Sequence, residues 1–179
     1  MTPDDLKALV RTVPDFPMPG IQFRDITTLL ADGAGLAASI DLMAERLSTR
    51  QPVDAIAGME ARGFIFGAAV AVRLGRGFLP VRKPGKLPAR TLGVEYQLEY
   101  GSDRLEIDPD AIAPGMRVTI VDDLIATGGT ALATVDLLRQ AGAVVDHAVF
   151  AIDLPDLGGA ERLSHAGVAV DALMQFEGD

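Results

Sequence analysis

The sequence predicts an α/β fold, a central parallel sheet flanked by helices, and three observations carry that prediction. From Val53 onward, apolar runs of strand length alternate with segments of helical spacing. The runs are nearly continuously apolar, as strands covered on both faces must be. The chain has 179 residues, 49% hydrophobic and 23% charged, enough for one domain with a real core.

Each element has its own signal. Thr2, Pro3, Asp4 and Asp5 form a helix start, with a capping hydroxyl, a proline at the first position and acids in the first turn. That helix is expected to end near Val13. Pro14 to Gly20, PDFPMPG, is too rich in proline for regular structure and reads as a stiff loop. After the short stretch IQFRDIT, Leu36, Ile40, Met43 and Leu47 mark a helix from about Gly35 to Thr49. VDAIAGM from Val53 is a buried strand, GFIFGAAVAVRLG from Gly63 a helix, and GFLPVR from Gly77 a strand. Lys83 to about Gly101 breaks the alternation and is expected to be a long mobile loop, a kind usually kept for function. RVTIVDD from Arg117 is a strand, followed by a helix ending on Gly142, the strand AVVDHAVFAIDL, the short helix GGAERLSHAG and the strand VAVDALM.

Composition narrows the function classes. No apolar run approaches the ~18–20 residues that span a bilayer, so no membrane partner is expected. MTPDDLKALVR reads as neither a secretory signal nor a transit peptide. The absence of cysteine excludes disulfides and thiolate metal sites and fits a reducing compartment, so a soluble cytoplasmic protein is expected. A net charge of −9 argues against a nucleic-acid partner. Yet Ala61 to Val94 contains no acid and seven of the sixteen basic residues. Such a window is either a solvated basic face or a site for a small polyanion.

VTIVDDLIATGGTA, from Val118 to Ala131, carries the chemistry. Its apolar strand Val118–Val121 is expected to end at Asp122 and Asp123, at the carboxyl edge of the sheet, where ligands of parallel sheets bind. The loop Leu124–Gly129 then leads into a helix. Glycines there let backbone approach a phosphate, and N–H groups at the helix start point at the anion. The hydroxyls of Thr127 and Thr130 can add hydrogen bonds, while the carboxylates accept from vicinal sugar hydroxyls. No Gly-Lys-[Ser/Thr] follows, so this is not a Walker A loop.

As one unit, the strand, the two acids and Ala-Thr-Gly-Gly-Thr resemble the phosphoribosyl-pyrophosphate (PRPP) motif of type I phosphoribosyltransferases. DFPMPGIQFRDIT, GMEARGFIFG, VRKPGKLP, QLEYG, VDDLIATGGT and IDLPDLGG extend the likeness over nearly the whole chain. In that order they are similar to the adenine phosphoribosyltransferase family. The resemblance implies a single type I phosphoribosyltransferase domain over 1–179, with 1–34 contributing a hood over the base and 83–101 a flexible catalytic loop. It implies a pentosyltransferase of purine salvage that converts adenine and PRPP to AMP and pyrophosphate.

It also implies residue roles. Asp122 and Asp123 are catalytic, orienting the ribose and stabilising its cationic ring. Ala126, Thr127, Gly128, Gly129 and Thr130 take the 5-phosphate of PRPP. Ala61 and Arg62 form a second loop-to-helix anion site for pyrophosphate, joined by Arg82, Lys83 and Lys86. Phe23 stacks on adenine, backbone groups of Gln22 and Arg24 read its edge, and Leu154 covers its other face. Adenine pairs an amino donor with an N1 acceptor where hypoxanthine and guanine offer the reverse, so fixed backbone partners can discriminate ~10⁴-fold. Glu99 is the expected acid supporting protonation at adenine N7 or N9, beside Tyr100 on the loop. Mg²⁺ is expected on PRPP oxygens and waters, with no direct protein ligand. A homodimer is implied, with the apolar helix FIFGAAVAV available for its interface. His147 and His165 fall in no motif. Pro84 and Pro155 depart from the family pattern, beside the basic loop and beside Leu154. The rivals are a hypoxanthine–guanine or xanthine phosphoribosyltransferase, which IQFRD and QLEYG oppose, and a PRPP-sensing regulator. The regulator would carry a basic DNA-binding extension, whereas the first fifty residues hold seven acids and five bases.

Overall fold

The computed structural model describes residues 1–49, 52–88, 90–97 and 102–178. Among them, a five-stranded parallel sheet is built from β3 (Ala55–Met59), β4 (Gly77–Val81), β7 (Val118–Ile125), β8 (His147–Asp153) and β9 (Ala169–Gln175). Their order across the sheet is β4-β3-β7-β8-β9, every neighbour parallel. Helices α3 (Gly33–Ser48) and α4 (Gly63–Leu74) cover one face, and α5 (Gly129–Gln140) and α6 (Gly159–His165) the other.

Strand periodicity sends alternate side chains to opposite faces. On β3, Ala55, Ala57 and Met59 pack with Val135, Leu137 and Leu138 of α5. Ile56 joins Met43 and Leu47 of α3 and Phe66 and Val70 of α4 on the opposite side. Phe66 and Phe150 are completely buried on these two faces. Truncating either to alanine costs about 3–5 kcal/mol.

The N-terminal region is more regular than its prolines suggest. The first helix, α1 (Pro3–Ala8), has the expected capping box: Asp5 N–H donates to Thr2 Oγ1 at 3.3 Å, and Thr2 N–H to Asp5 Oδ2 at 2.7 Å. It stops at Ala8 rather than near Val13, because β1 (Arg11–Pro14) pairs antiparallel with β2 (Gln22–Asp25). Arg11 reinforces that pairing through Asp25. Pro14 therefore ends a strand instead of opening the loop. The remaining loop is closed by Asp15, whose side chain accepts from Gly20 N–H at 2.8 Å. IQFRDIT supplies β2 and the start of a short helix, α2 (Thr27–Ala31). The next helix, α3, begins two residues earlier than expected, because Asp32 caps it and accepts from Gly35 N–H at 2.6 Å.

Two further expectations are corrected. The stretch 83–101, expected to be a loop, contains β5 (Leu92–Gln97), which pairs antiparallel with β6 (Ser102–Ile107). Leu92, Val94 and Tyr96 share one face of β5 and pack on the α5 side of the core, a burial that irregular loop would forgo. Backbone bonds between Arg82 and Glu106 fasten this hairpin beside β4. The strand β7 also runs four residues past Val121. Leu124 pairs with Ile152 and Ile125 with Asp153, so both acids lie within the strand and only 126–128 separate it from α5.

Candidate active site

A cavity of about 440 Å³ opens at the carboxyl end of β3 and β7. Two segments line it, residues 59–62 and residues 122–131. Both loop-to-helix sites read from the sequence therefore face one space. Ala61, Arg62, Asp122, Asp123, Ala126, Thr127, Gly128, Gly129 and Thr130 all line it.

The acids are held differently. Asp122 is 7% exposed, and its Oδ1 accepts from Asp123 N–H at 2.9 Å. It sits against the first residue of α4: a Cβ on Gly63 would lie 3.0 Å from Asp122 Cγ and collide with Oδ1. Burial, with the neighbouring Asp123 charge second, holds the Asp122 pKa well above the usual carboxylate range. Asp123 faces Arg62, with Oδ2 2.7 Å from Nε. Burial raises its pKa too, while the Arg62 charge pulls the other way.

Beyond the acids, Gly128 adopts φ 80° and ψ 0°, a left-handed conformation suited to glycine, and α5 starts at the next residue. Backbone N–H groups without helical partners are therefore presented beside the cavity. Thr130 Oγ1 donates to Tyr96 Oη at 3.4 Å, and Tyr96 Oη donates to Asp103 Oδ2 at 3.2 Å.

Of the other expected residues within the described chain, Gln22, Phe23, Arg24, Arg82, Lys83, Lys86 and Leu154 do not line it. Arg82 Nε lies 3.0 Å from Glu60 Oε2, which also accepts from Lys83 N–H at 3.0 Å. The Lys83 N–H, then Arg82, keep Glu60 below its ordinary pKa. Lys83 Nζ is paired with Asp103. Burial opposes the charge on Lys83, but Asp103 and Tyr96 outweigh it and raise its pKa. Lys86 is exposed, and its charge also reaches Glu60.

On β2, the Phe23 ring has the Arg62 guanidinium 5.8 Å from its centroid, and Phe16 meets the same ring edge-on at 5.1 Å. The Arg24 side chain points elsewhere, donating to Thr12 Oγ1 at 2.8 Å and to the Glu177 carbonyl at 2.9 Å. Its backbone and that of Gln22 belong to β2. Leu154 is buried, and its N–H donates to the Ile125 carbonyl at 3.0 Å. Glu99 and Tyr100 lie outside the described residues. His147 is paired with Asp171 at 2.8 Å at the amino end of β8, remote from the cavity in the sheet.

Sequence reasoning passed over Glu60, Tyr96, Asp103 and Arg162. Glu60 stands inside GMEARGFIFG, directly before the acid-free basic window, so a carboxylate at the edge of that window was the available signal. Tyr96, Asp103 and Arg162 gave none, since their partners lie far along the chain.

Known proteins share this sequence and fold. Residues 25–164 match the phosphoribosyl transferase domain model. An adenine phosphoribosyltransferase of Novosphingobium aromaticivorans is 69% identical over 178 residues, covering 99% of each chain. The crystal structure of adenine phosphoribosyltransferase from Thermoanaerobacter pseudethanolicus superposes with a TM-score of 0.93 at 50% identity, over 98% of this chain and 100% of that one. The Saccharomyces cerevisiae enzyme, solved with adenine and an imino-altritol bisphosphate, gives 0.89 at 39% identity over 96% and 98%. With the domain model matched over most of the chain and relatives alike from end to end, this chain belongs to the adenine phosphoribosyltransferase family.

Proposed function

We propose that the chain transfers the 5-phosphoribosyl group of PRPP to adenine, releasing pyrophosphate and forming AMP. The observation that carries this reading is the single cavity into which both anion loops and both buried acids open. Phe23, on the hood beside Arg62, supports a purine subsite next to it. The full-length relatives named adenine phosphoribosyltransferase support the choice of base.

In this reading the 5-phosphate occupies the loop Ala126–Thr130, and the pyrophosphate occupies Ala61 and Arg62 with Arg82, Lys83 and Lys86 around it. Adenine nitrogen bonds to the anomeric carbon as the bond to pyrophosphate oxygen breaks, and the adenine N9 proton is lost. Positive charge grows on the ribose ring, and Asp122 and Asp123 stabilise it from fixed positions. To do so, Asp123 exchanges Arg62 for ribose hydroxyls, which frees the guanidinium fork for phosphate oxygens. Gln22 and Arg24 read the base edge through their backbone, and Leu154 covers its far face. Glu99, with Tyr100 beside it, is the proposed group on the base side: as a carboxylate it takes the proton that adenine loses, and as an acid it returns that proton to adenine in the reverse reaction. Closure of the 83–101 arm would exclude water that could hydrolyse PRPP.

The donor set fits a magnesium ion carried by the substrate. Three acids line the cavity, Glu60, Asp122 and Asp123, but Glu60 and Asp123 are each paired with an arginine, and among the described residues no group of three His, Cys, Asp or Glu side chains could hold a metal. Bound to PRPP oxygens and water, Mg²⁺ would supply neutralisation of the leaving-group charge.

A homodimer and a cytoplasmic location belong to the same proposal. Ile65 and Val72, one helical face of α4, are 41% and 81% exposed, an apolar surface suited to a second copy. No helix among the described residues is long and apolar enough to cross a membrane.

The test is nucleotide formation from PRPP with adenine, hypoxanthine, guanine and xanthine in parallel. AMP should form with a kcat/KM far above that for the other bases. IMP or GMP without AMP overturns the choice of base, and no nucleotide from any base overturns the reaction.

A further inference from the structure

The loop at the foot of α5 is gripped from outside the cavity. Arg162, on α6, does not line the cavity, yet its Nη1 donates to the Thr127 carbonyl at 2.9 Å. Gly159 N–H donates to the Ala126 carbonyl at 3.0 Å, and Leu154 N–H to the Ile125 carbonyl at 3.0 Å. Contact between the two segments is backbone against backbone. A Cβ on Gly159 would lie 2.8 Å from Gly128 N, and one on Gly128 would lie 3.0 Å from Gly159 Cα.

Three successive carbonyls, of residues 125, 126 and 127, are thus turned toward the segment 154–162. In a planar trans peptide the carbonyl and the following N–H point in opposite directions. Holding those carbonyls outward therefore aims the N–H groups of Ala126, Thr127 and Gly128 away from that segment, toward the cavity their residues line.

The third peptide differs from the other two. The carbonyls of Ile125 and Ala126 are held by backbone donors, but that of Thr127 is held by a side chain. With Gly128 at φ 80° and ψ 0°, residues 126–129 have the glycine of a type II turn at its third position. Type I and type II turns differ chiefly by a flip of the central peptide, here 127–128. The flipped form would turn the Thr127 carbonyl oxygen toward an incoming phosphate dianion.

We propose that Arg162 is a positioning residue for the 5-phosphate subsite, locking the 127–128 peptide so that Gly128 N–H faces the phosphate. The proposal rests on the phosphoribosyl-transfer reading above. Its chemistry is general: a guanidinium makes a charge-assisted bond to a carbonyl, stronger than a neutral donor makes, and it polarises that peptide's N–H.

The test separates the two anions. Ribose 5-phosphate and inorganic pyrophosphate are titrated separately into wild type, Arg162→Ala and Arg162→Lys by calorimetry, alongside KM for PRPP and adenine and thermal midpoints. Arg162→Ala should weaken ribose 5-phosphate and raise KM for PRPP about tenfold, leaving pyrophosphate binding and KM for adenine unchanged. Arg162→Lys, which keeps charge and a donor, should recover most of the loss. Unchanged ribose 5-phosphate binding in Arg162→Ala overturns the proposal, as does equal weakening of both anions with a fallen thermal midpoint. If Arg162→Ala does not fold, Arg162→Gln carries the same comparison. Wild type that binds ribose 5-phosphate but forms no nucleotide defeats the proposed function, while the binding comparison still decides the role of Arg162.

Discussion

Replacing Asp123 with asparagine removes a charge while keeping shape and one acceptor oxygen. The Asp123 side chain is 8% exposed, and its Oδ2 lies 2.7 Å from Arg62 Nε. Burial of that degree calls for an effective dielectric of ~20 rather than the ~80 of water. A carboxylate that accepts from a ribose hydroxyl stands ~5 Å from the anomeric carbon, so its attraction for the developing cation is about 3 kcal/mol. At about 1.4 kcal/mol per tenfold, kcat/KM should fall ~10²-fold. Stability should move much less. Asparagine relieves the burial of a charge, and the Arg62 left behind is 47% exposed and can turn to water. These effects oppose each other, leaving a net change of about 1 kcal/mol or less. Initial rates of AMP formation at varied PRPP, with urea unfolding of both proteins, check the two magnitudes. A kcat/KM within about threefold of wild type would refute the electrostatic role. A loss of activity matched by a loss of several kcal/mol in stability would refute the argument that the effect is local.

Other perturbations follow from the same geometry. Burial and the Asp123 charge raise the folded-state pKa of Asp122 above its unfolded value. The folded chain therefore holds that proton more tightly, and stability is lost as pH rises from the unfolded pKa through the folded one. Asp122→Asn should accordingly stabilise the protein near neutral pH, with an advantage that fades as pH falls into the ordinary carboxylate range. Urea midpoints across pH read this, and a variant less stable at every pH would contradict it. Phe23→Ala should raise KM for adenine ~10–100-fold, the worth of aromatic stacking on a base, with KM for PRPP little changed. Equal rises for both substrates would remove Phe23 from the base subsite. Chelation of divalent cations should abolish turnover and leave the thermal midpoint of the free protein unchanged, since no metal cluster occurs among the described residues. A midpoint that falls with chelator would mean that the protein itself holds a metal.

Much of the sheet was legible because its strands are almost entirely apolar. Ala55–Met59, Val118–Val121 and His147–Asp153 are buried along their length, which is the pattern the sequence displays. The α4 and α5 helices were equally plain, each opening on a glycine. Short paired strands were harder to read. Four residues of β1 acquire their conformation from β2, and the partner lies across a proline-rich loop that local propensity reads as irregular. The hairpin arm was misread although Leu92, Val94 and Tyr96 alternate along β5: three alternations after a stretch rich in Lys, Pro and Gly make a weak signal, and that face is buried only against the α5 side of the core. At the site, the motif residues were visible because glycine, threonine and acid occur in one contiguous segment. The pairings were not visible. Nothing local connects Arg62 to Asp123, Lys83 to Asp103 or Arg162 to Thr127, because the fold joins chain positions far apart.

Those pairings bear on how the enzyme lets go of pyrophosphate. Arg62, Arg82 and Lys83 each hold a carboxylate in the free protein, Asp123, Glu60 and Asp103 respectively. On the proposed assignment, pyrophosphate arrives as a competitor for cations already satisfied and gains only the difference between phosphate and carboxylate partners. Each acid is a tethered rival, present at high effective concentration and ready to reclaim its cation when the leaving group has formed. A clamp of unpaired cations would hold pyrophosphate more tightly and slow each cycle at its exit. Built-in competition trades affinity for turnover.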